Sequence, residues 1–219
     1  MEYIKELEKF EWADGNAKDL DAEFQKLAKY FLTKGYFEIN REQGRKIYIC
    51  DVEFYYHEEK GKIKDYAMYH RNGRDKNNMK PQYFKVGQLN AHSSGVDITF
   101  ENKDKEYRAG MLVRGFKIVD HCPDGYDYHK YPQSKGYDQC STYFYDALLN
   151  YRDLSSGLSI KWVEGEHNLK GYDITSAPRI NIFQYHQEGE KVGQKVTIPE
   201  SSKNYIKCNR MWRFHLTKK

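Results

Sequence analysis

The run Asp51-Val52-Glu53-Phe54-Tyr55-Tyr56 sets an acid between two hydrophobic residues. On a strand, residues two apart share a face, so Asp51, Glu53 and Tyr55 project together while Val52 and Phe54 point the other way. A carboxylate beside an aromatic ring can orient and deprotonate a water and can hold a flat ligand against the ring. A solvent-facing strand would carry the same pattern, so spacing alone leaves both readings open. Three histidines, His57, His70 and His92, follow in the adjoining loop and strands. None of these pairs has the i, i+4 or short-loop spacing that zinc ligands favour, so no metal is expected. Arg114 lies inside the apolar run Met-Leu-Val-Arg-Gly-Phe, where an arginine pairs with a carboxylate or lines a cleft, because burying it alone is costly.

These residues need a scaffold to bring them together. Leu20, Phe24, Leu27, Ala28 and Phe31 recur at helical spacing, with Asp19 as cap and Gly35 as stop. The segments 36–40 and 45–56 alternate as strands and are joined by a short connection, which predicts a hairpin. Residues 57–82 show no sustained period and read as a long loop. Strand signals return at "GQLNA", "GVDITFE" and "AGMLVRGFKI", separated by turns, and predict a three-strand antiparallel meander. Further on, "CSTYFYDALLNYRDL" reads as a helix, and "RINIFQY" and "MWRFHL" read as closing strands. The expected fold is α+β, one domain over 1–219 with residues 1–18 as an N-terminal extension, built on a curved, mostly antiparallel sheet flanked by a few helices.

The 219 residues suit one core, and aromatic residues make up 16%, too many for a disordered chain. Net charge is only +4, but it is unevenly spread. Residues 1–32 carry eight acids and five bases, whereas 203–219 carry six bases and no acid. Residues 60–85 hold eight bases against Asp65 and Asp75. Both basic stretches are candidate phosphate-binding surfaces, and solvated charged faces would look the same. The four cysteines (Cys50, Cys122, Cys140 and Cys208) lie far apart and form no zinc or disulfide framework, so reduced thiols are expected. No membrane-length apolar window or secretory leader is seen, and a cytoplasmic location without membrane partners is expected. Glycine-rich dinucleotide loops, P-loops, HExxH and GxSxG signatures are missing.

The order of several short motifs resembles that of the alkyladenine (3-methyladenine or methylpurine) DNA glycosylase family. The resemblance covers roughly residues 20–216. It is carried by "LAKYFL" and the following hairpin, "DVEFYY", "YAMYHRNG", "YFKVGQLNAH", "AGMLVRGFKI", "CSTYFYDALL", "APRINI" and "MWRFHL". It implies the methylpurine-DNA glycosylase fold and hydrolysis of the N-glycosidic bond of a flipped alkylated or deaminated purine by a carboxylate-activated water. Glu53 falls where the family keeps its general base. Tyr55, His70 and His92 fall at the base pocket, and Arg114 falls near the nucleotide. The resemblance also implies a duplex DNA partner, no cofactor and a monomer; the DNA-backbone candidates are Arg71, Arg74, Lys76, Lys85, Arg210 and Arg213. Two features depart from the family. Ser93-Ser94-Gly95 stands where a bulky aromatic wedges the duplex, and Asp97 or Glu101 falls near an asparagine gate. A non-catalytic, or differently specific, nucleotide- or nucleoside-binding relative of the same fold is the alternative.

Overall fold

The structure, a computed structural model, describes residues 2–10, 17–39, 45–61, 63–65, 67–68, 82–92, 95–119, 160–165, 171–180 and 210–219. Among the described residues two helices, α1 (Glu2–Glu8) and α2 (Ala17–Thr33), lie with eight strands. The strands are β1 (Gly35–Ile39), β2 (Arg45–Glu58), β3 (Leu89–His92), β4 (Gly95–Thr99), β5 (Tyr107–Val119), β6 (Ile160–Glu164), β7 (Tyr172–Ala177) and β8 (Arg213–Lys218). Together they make one α+β unit in which every described strand pair is antiparallel. The main sheet order is β3-β4-β5-β2-β1-β6.

Strand β2, 14 residues long, is the spine. One edge pairs with β5 along nearly its whole length. The other edge is shared: the amino-terminal end pairs with β1, and Asp51 to Glu53 pair with β8, which carries β7 outward. The predicted hairpin is β1-β2, and the predicted meander is β3-β4-β5.

Alternation along β2 breaks once. Ile47 and Ile49 are buried in the core, and so are Val52, Phe54 and Tyr56, a change of parity that a regular strand cannot make. The pairing shows the cause. Ile49 opposes Phe116 and Asp51 opposes Gly115, which leaves Cys50 as an extra residue; Val52 then opposes Val113, which leaves Arg114 as an extra residue on β5. Two facing bulges therefore offset each other. Gly115 is needed at this point, because a Cβ there would come within 2.9 Å of the Asp51 Cβ.

The apolar face of the sheet packs under α2. Phe24 stacks on Phe54 at 4.6 Å between centroids and meets the edge of Trp212 at 4.8 Å. The Trp212 indole N–H donates to Asp21 of the same helix at 2.6 Å, tying the start of β8 to α2. Burying these rings is the main favourable term, and truncating one such phenylalanine to alanine typically costs about 3–5 kcal/mol.

Some expectations change. Helix α2 starts at Ala17, so Asp19 lies inside its first turn rather than at its cap. Gly35 does follow the helix end, but not in the left-handed conformation of a glycine cap; a Cβ there would meet the Trp162 ring at 2.6 Å, so the residue is small to admit that ring. The stretch expected as an extension supplies α1 and buries Leu7 and Phe10 in the core. Strand β2 continues through His57 and Glu58, and Ile63 and Lys64 fold back beside its end. The helix expected within 140–154 lies outside the described residues. Only Arg179 and Ile180 of "RINIFQY" are described, and they follow β7 rather than forming a strand.

Candidate active site

The opposite face of β2 carries Asp51, Glu53, Tyr55 and His57. Polar residues on a strand usually seek water, yet Asp51, Glu53 and His57 are buried, and Glu53 is fully so. A buried carboxylate must find donors, because desolvating an unpaired charge is prohibitive. Glu53 finds three. The Tyr55 hydroxyl donates to Oε2 at 2.7 Å, the Ile180 N–H donates to Oε1 at 2.5 Å, and Arg114 Nε lies 3.3 Å from Oε2.

Each donor is positioned by a distinct element. Tyr55 is two residues along the same strand. Arg114 is the bulged residue of β5, and the bulge turns its guanidinium across to Glu53, where Nη2 also donates to the Ile180 carbonyl at 3.2 Å. Ile180 is held by its neighbour. The Arg179 guanidinium donates to both Asp65 oxygens, at 2.6 and 3.3 Å, and to the Phe54 carbonyl at 3.3 Å. It also lies 4.7 Å from the Tyr55 ring centroid and 5.4 Å from that of Trp212. Asp65 in turn accepts from the backbone N–H of Tyr56 and of Ala67. The edge of β2 beyond β8 is thus closed by side chains instead of a strand.

Burial dominates the electrostatics. It raises the Glu53 carboxyl above its ordinary value, with Arg114 and the Ile180 N–H opposing the rise, and it raises Asp51 in the same way against Arg213. The Tyr55 hydroxyl is pushed well above its usual range, first by burial and then by the charge of Glu53, so it stays a donor. For Arg179, burial works against the charge, but Asp65 outweighs it and the group is held cationic. A carboxyl raised by desolvation and aimed by fixed donors has the properties of a general base.

No family model matches the chain, and no curated protein or solved structure matches it. The site therefore stands on its own geometry.

Glu53, Tyr55 and Arg114 are brought together directly. His92 lies on the same face at the far side of the sheet, its Nε2 3.1 Å from Asp97 Oδ2. Glu101 is engaged elsewhere, accepting from Arg108 and from the Phe84 N–H, so of the two gate candidates only Asp97 pairs with His92. His57 Nδ1 accepts from the Asp65 N–H at 3.2 Å. Among the described residues no cluster of three or more His, Cys, Asp or Glu could hold a metal ion. His70, Arg71, Arg74 and Lys76 lie outside the described residues. Lys85 is exposed. Arg210 is half-buried against Asp21 and the Trp212 ring. Arg213 is a correction to the surface reading: its guanidinium is buried, with Nε contacting both Asp51 oxygens and Nη2 donating to one at 2.6 Å, because it is paired within the sheet face and not turned to solvent. Asp65 and Ile180 were given no role from the sequence. The Asp65–Arg179 pair spans 114 residues, and no local spacing reveals it.

Proposed function

We propose that the protein is a monofunctional base-excision DNA glycosylase that hydrolyses the N-glycosidic bond of a flipped alkylated or deaminated purine. The observation that carries this reading is Glu53, a fully buried carboxylate with a raised pKa, fixed by two hydrogen bonds and the Arg114 guanidinium and adjoining an aromatic ring. Glu53 takes a proton from water, and its charge offsets the positive character that develops on the sugar as the bond breaks. Tyr55, with Arg179 against its ring, supports the extruded base, and Arg114 keeps the carboxylate aimed. Lys85 and Arg210 are the described candidates for phosphate contact, and the DNA partner follows from the same reading.

The β3-β4 hairpin favours a second reading. In the sequence only Ser93 and Ser94 separate β3 from β4, and a serine side chain is too small to fill the gap left by an extruded base. A relative acting on single strands or nucleosides needs no wedge.

One assay tests both. Release of free base is measured from duplex and single-stranded oligonucleotides and from nucleosides carrying hypoxanthine, ethenoadenine or methylated purines, with the parent protein and Glu53→Gln. Release from duplex DNA that drops about 10²–10⁴-fold on substitution supports the first reading. Activity confined to single strands or nucleosides supports the second, and a folded protein inert on all of them refutes hydrolysis.

A further inference from the structure

The strand register sets a second carboxylate in line with Glu53. Glu53 opposes Leu112 of β5, Leu112 opposes Asp97 of β4, and Asp97 opposes Asn90 of β3. Directly opposed residues project to the same face, so Asp97 and Glu53 stand on one face with Leu112 between them. Neighbouring strands lie roughly 4.8 Å apart, which puts the two acids about 10 Å apart at the backbone. Asp97 is 5% exposed, an uncommon position for an acid. It is paired with His92, whose side chain is 8% exposed and whose Nε2 is 3.1 Å from Oδ2. Gly110 and Met68 lie beside it: a Cβ at Gly110 would touch both Asp97 and the Met68 methyl at ordinary contact distance. Among the described residues, other charged groups of this face have partners of their own. Arg114 is with Glu53, Arg213 with Asp51, Arg179 with Asp65 and Arg108 with Glu59 and Glu101.

Two carboxyls set apart on one face resemble the arrangement by which inverting glycoside hydrolases separate their roles: one activates water, while the other, roughly 6.5–9.5 Å away, protonates the leaving group. We propose that Asp97, acting with His92, is the general acid of this site and donates the proton that lets a neutral base depart. This rests on the glycosylase reading above. In the step, the water oxygen bonds to the sugar C1′ as the C1′–N bond breaks. The electron pair of that bond passes to the base, the water proton passes to Glu53, and the carboxyl proton of Asp97 passes to a nitrogen of the departing base. Leu112 forms the apolar floor between the two acids.

The leaving group tests the assignment. A neutral base such as hypoxanthine needs that proton; an N3- or N7-methylated purine nucleotide is already cationic and leaves without it. Single-turnover release of hypoxanthine and of 7-methylguanine from otherwise identical oligonucleotides is measured for the parent, Asp97→Asn, His92→Gln and Glu53→Gln, with folding checked by thermal melting. Asp97→Asn is expected to slow hypoxanthine release about 10²-fold or more and 7-methylguanine release by less than about threefold. His92→Gln is expected to act in the same direction, and it decides the matter if Asp97→Asn does not fold. Glu53→Gln is expected to slow both substrates. Equal slowing of both substrates by the Asp97 and His92 variants, or none, overturns the acid role while leaving the glycosylase reading standing. A folded parent that releases neither base overturns that reading and the acid role with it.

Discussion

Two buried clusters of charge share the polar face of the sheet, one around Glu53 and the other around Arg108. Arg108 is 1% exposed and sits between two acids: Nε donates to Glu59 at 2.6 Å, and Nη1 donates to Glu101 at 3.1 Å and to the Gln82 carbonyl at 2.9 Å. Its guanidinium also covers the Tyr83 ring at 3.9 Å. Here the arginine is central and the acids are its clamps. Around Glu53 the order is reversed, with an acid at the centre, two hydrogen-bond donors and the Arg114 guanidinium converging on it. A central arginine stays charged at any working pH and serves to pin segment 82–84 to the sheet. A central carboxyl with a raised pKa can gain and lose a proton, which a structural anchor has no need to do.

Substitutions can break this contrast from either side. Glu53→Gln is expected to have the largest effect, removing about 10²–10⁴-fold of base release. It should leave urea stability at neutral pH unchanged or raised, since an amide is cheaper to bury than a carboxylate. Arg108→Met should do the opposite. Stranding Glu59 and Glu101 without their cation costs about 3–5 kcal/mol, roughly 6–20 °C in melting temperature for a chain of this size, with release per folded molecule preserved.

A pH series sharpens the difference. Because burial raises the Glu53 carboxyl, release should fall with acidification along a limb that lies above the ordinary glutamate value of about 4.3. Stability should run the other way. The folded protein holds this proton more tightly than the unfolded chain does, so the contribution of Glu53 is complete below the unfolded value and is lost as pH rises through the raised folded one. Asp51 has the same sign. Release and melting temperature measured from pH 3.5 to 8 check both directions. Tyr55→Phe keeps the ring and removes the donor to Oε2; release should drop about tenfold and the acidic limb should move upward. The smallest effect is expected from Lys85→Ala, which should lower the salt slope of duplex binding by about one and leave single-turnover release at saturation intact.

The parts of this molecule legible in its sequence are those set by neighbours in the chain. The stripe from Leu20 to Phe31 announced α2, alternation announced β1, β2 and the meander, and the i, i+2 rule placed Glu53 beside Tyr55. Strand β7 was invisible because Tyr172 to Ser176 are exposed on both faces and so carry no alternation. Strand β6 has one deeply buried residue, Trp162, in five. The two bulges were hidden for another reason: the shift from Ile49 to Val52 was present in the sequence, but only the pairing with β5 shows where the extra residues sit. Arg179 and Asp65 meet only once the chain has folded, and the exposed-cation reading of Arg213 failed because its partner, Asp51, lies on another strand.

The paired bulges can be restated as a compensated insertion. Without Cys50, β2 would alternate evenly from Ile47 to Tyr56 with the same residues in the core, and β5 would do the same without Arg114. Each strand is one residue longer than its packing requires, and because the surplus occurs on both sides of the same ladder, neither core nor neighbouring pairs are displaced. A sheet interior has thereby acquired an arginine at no cost in hydrophobic positions. Removing both residues together should leave a straight, well-packed ladder in which Glu53 keeps Tyr55 and Ile180 but loses its cation from β5.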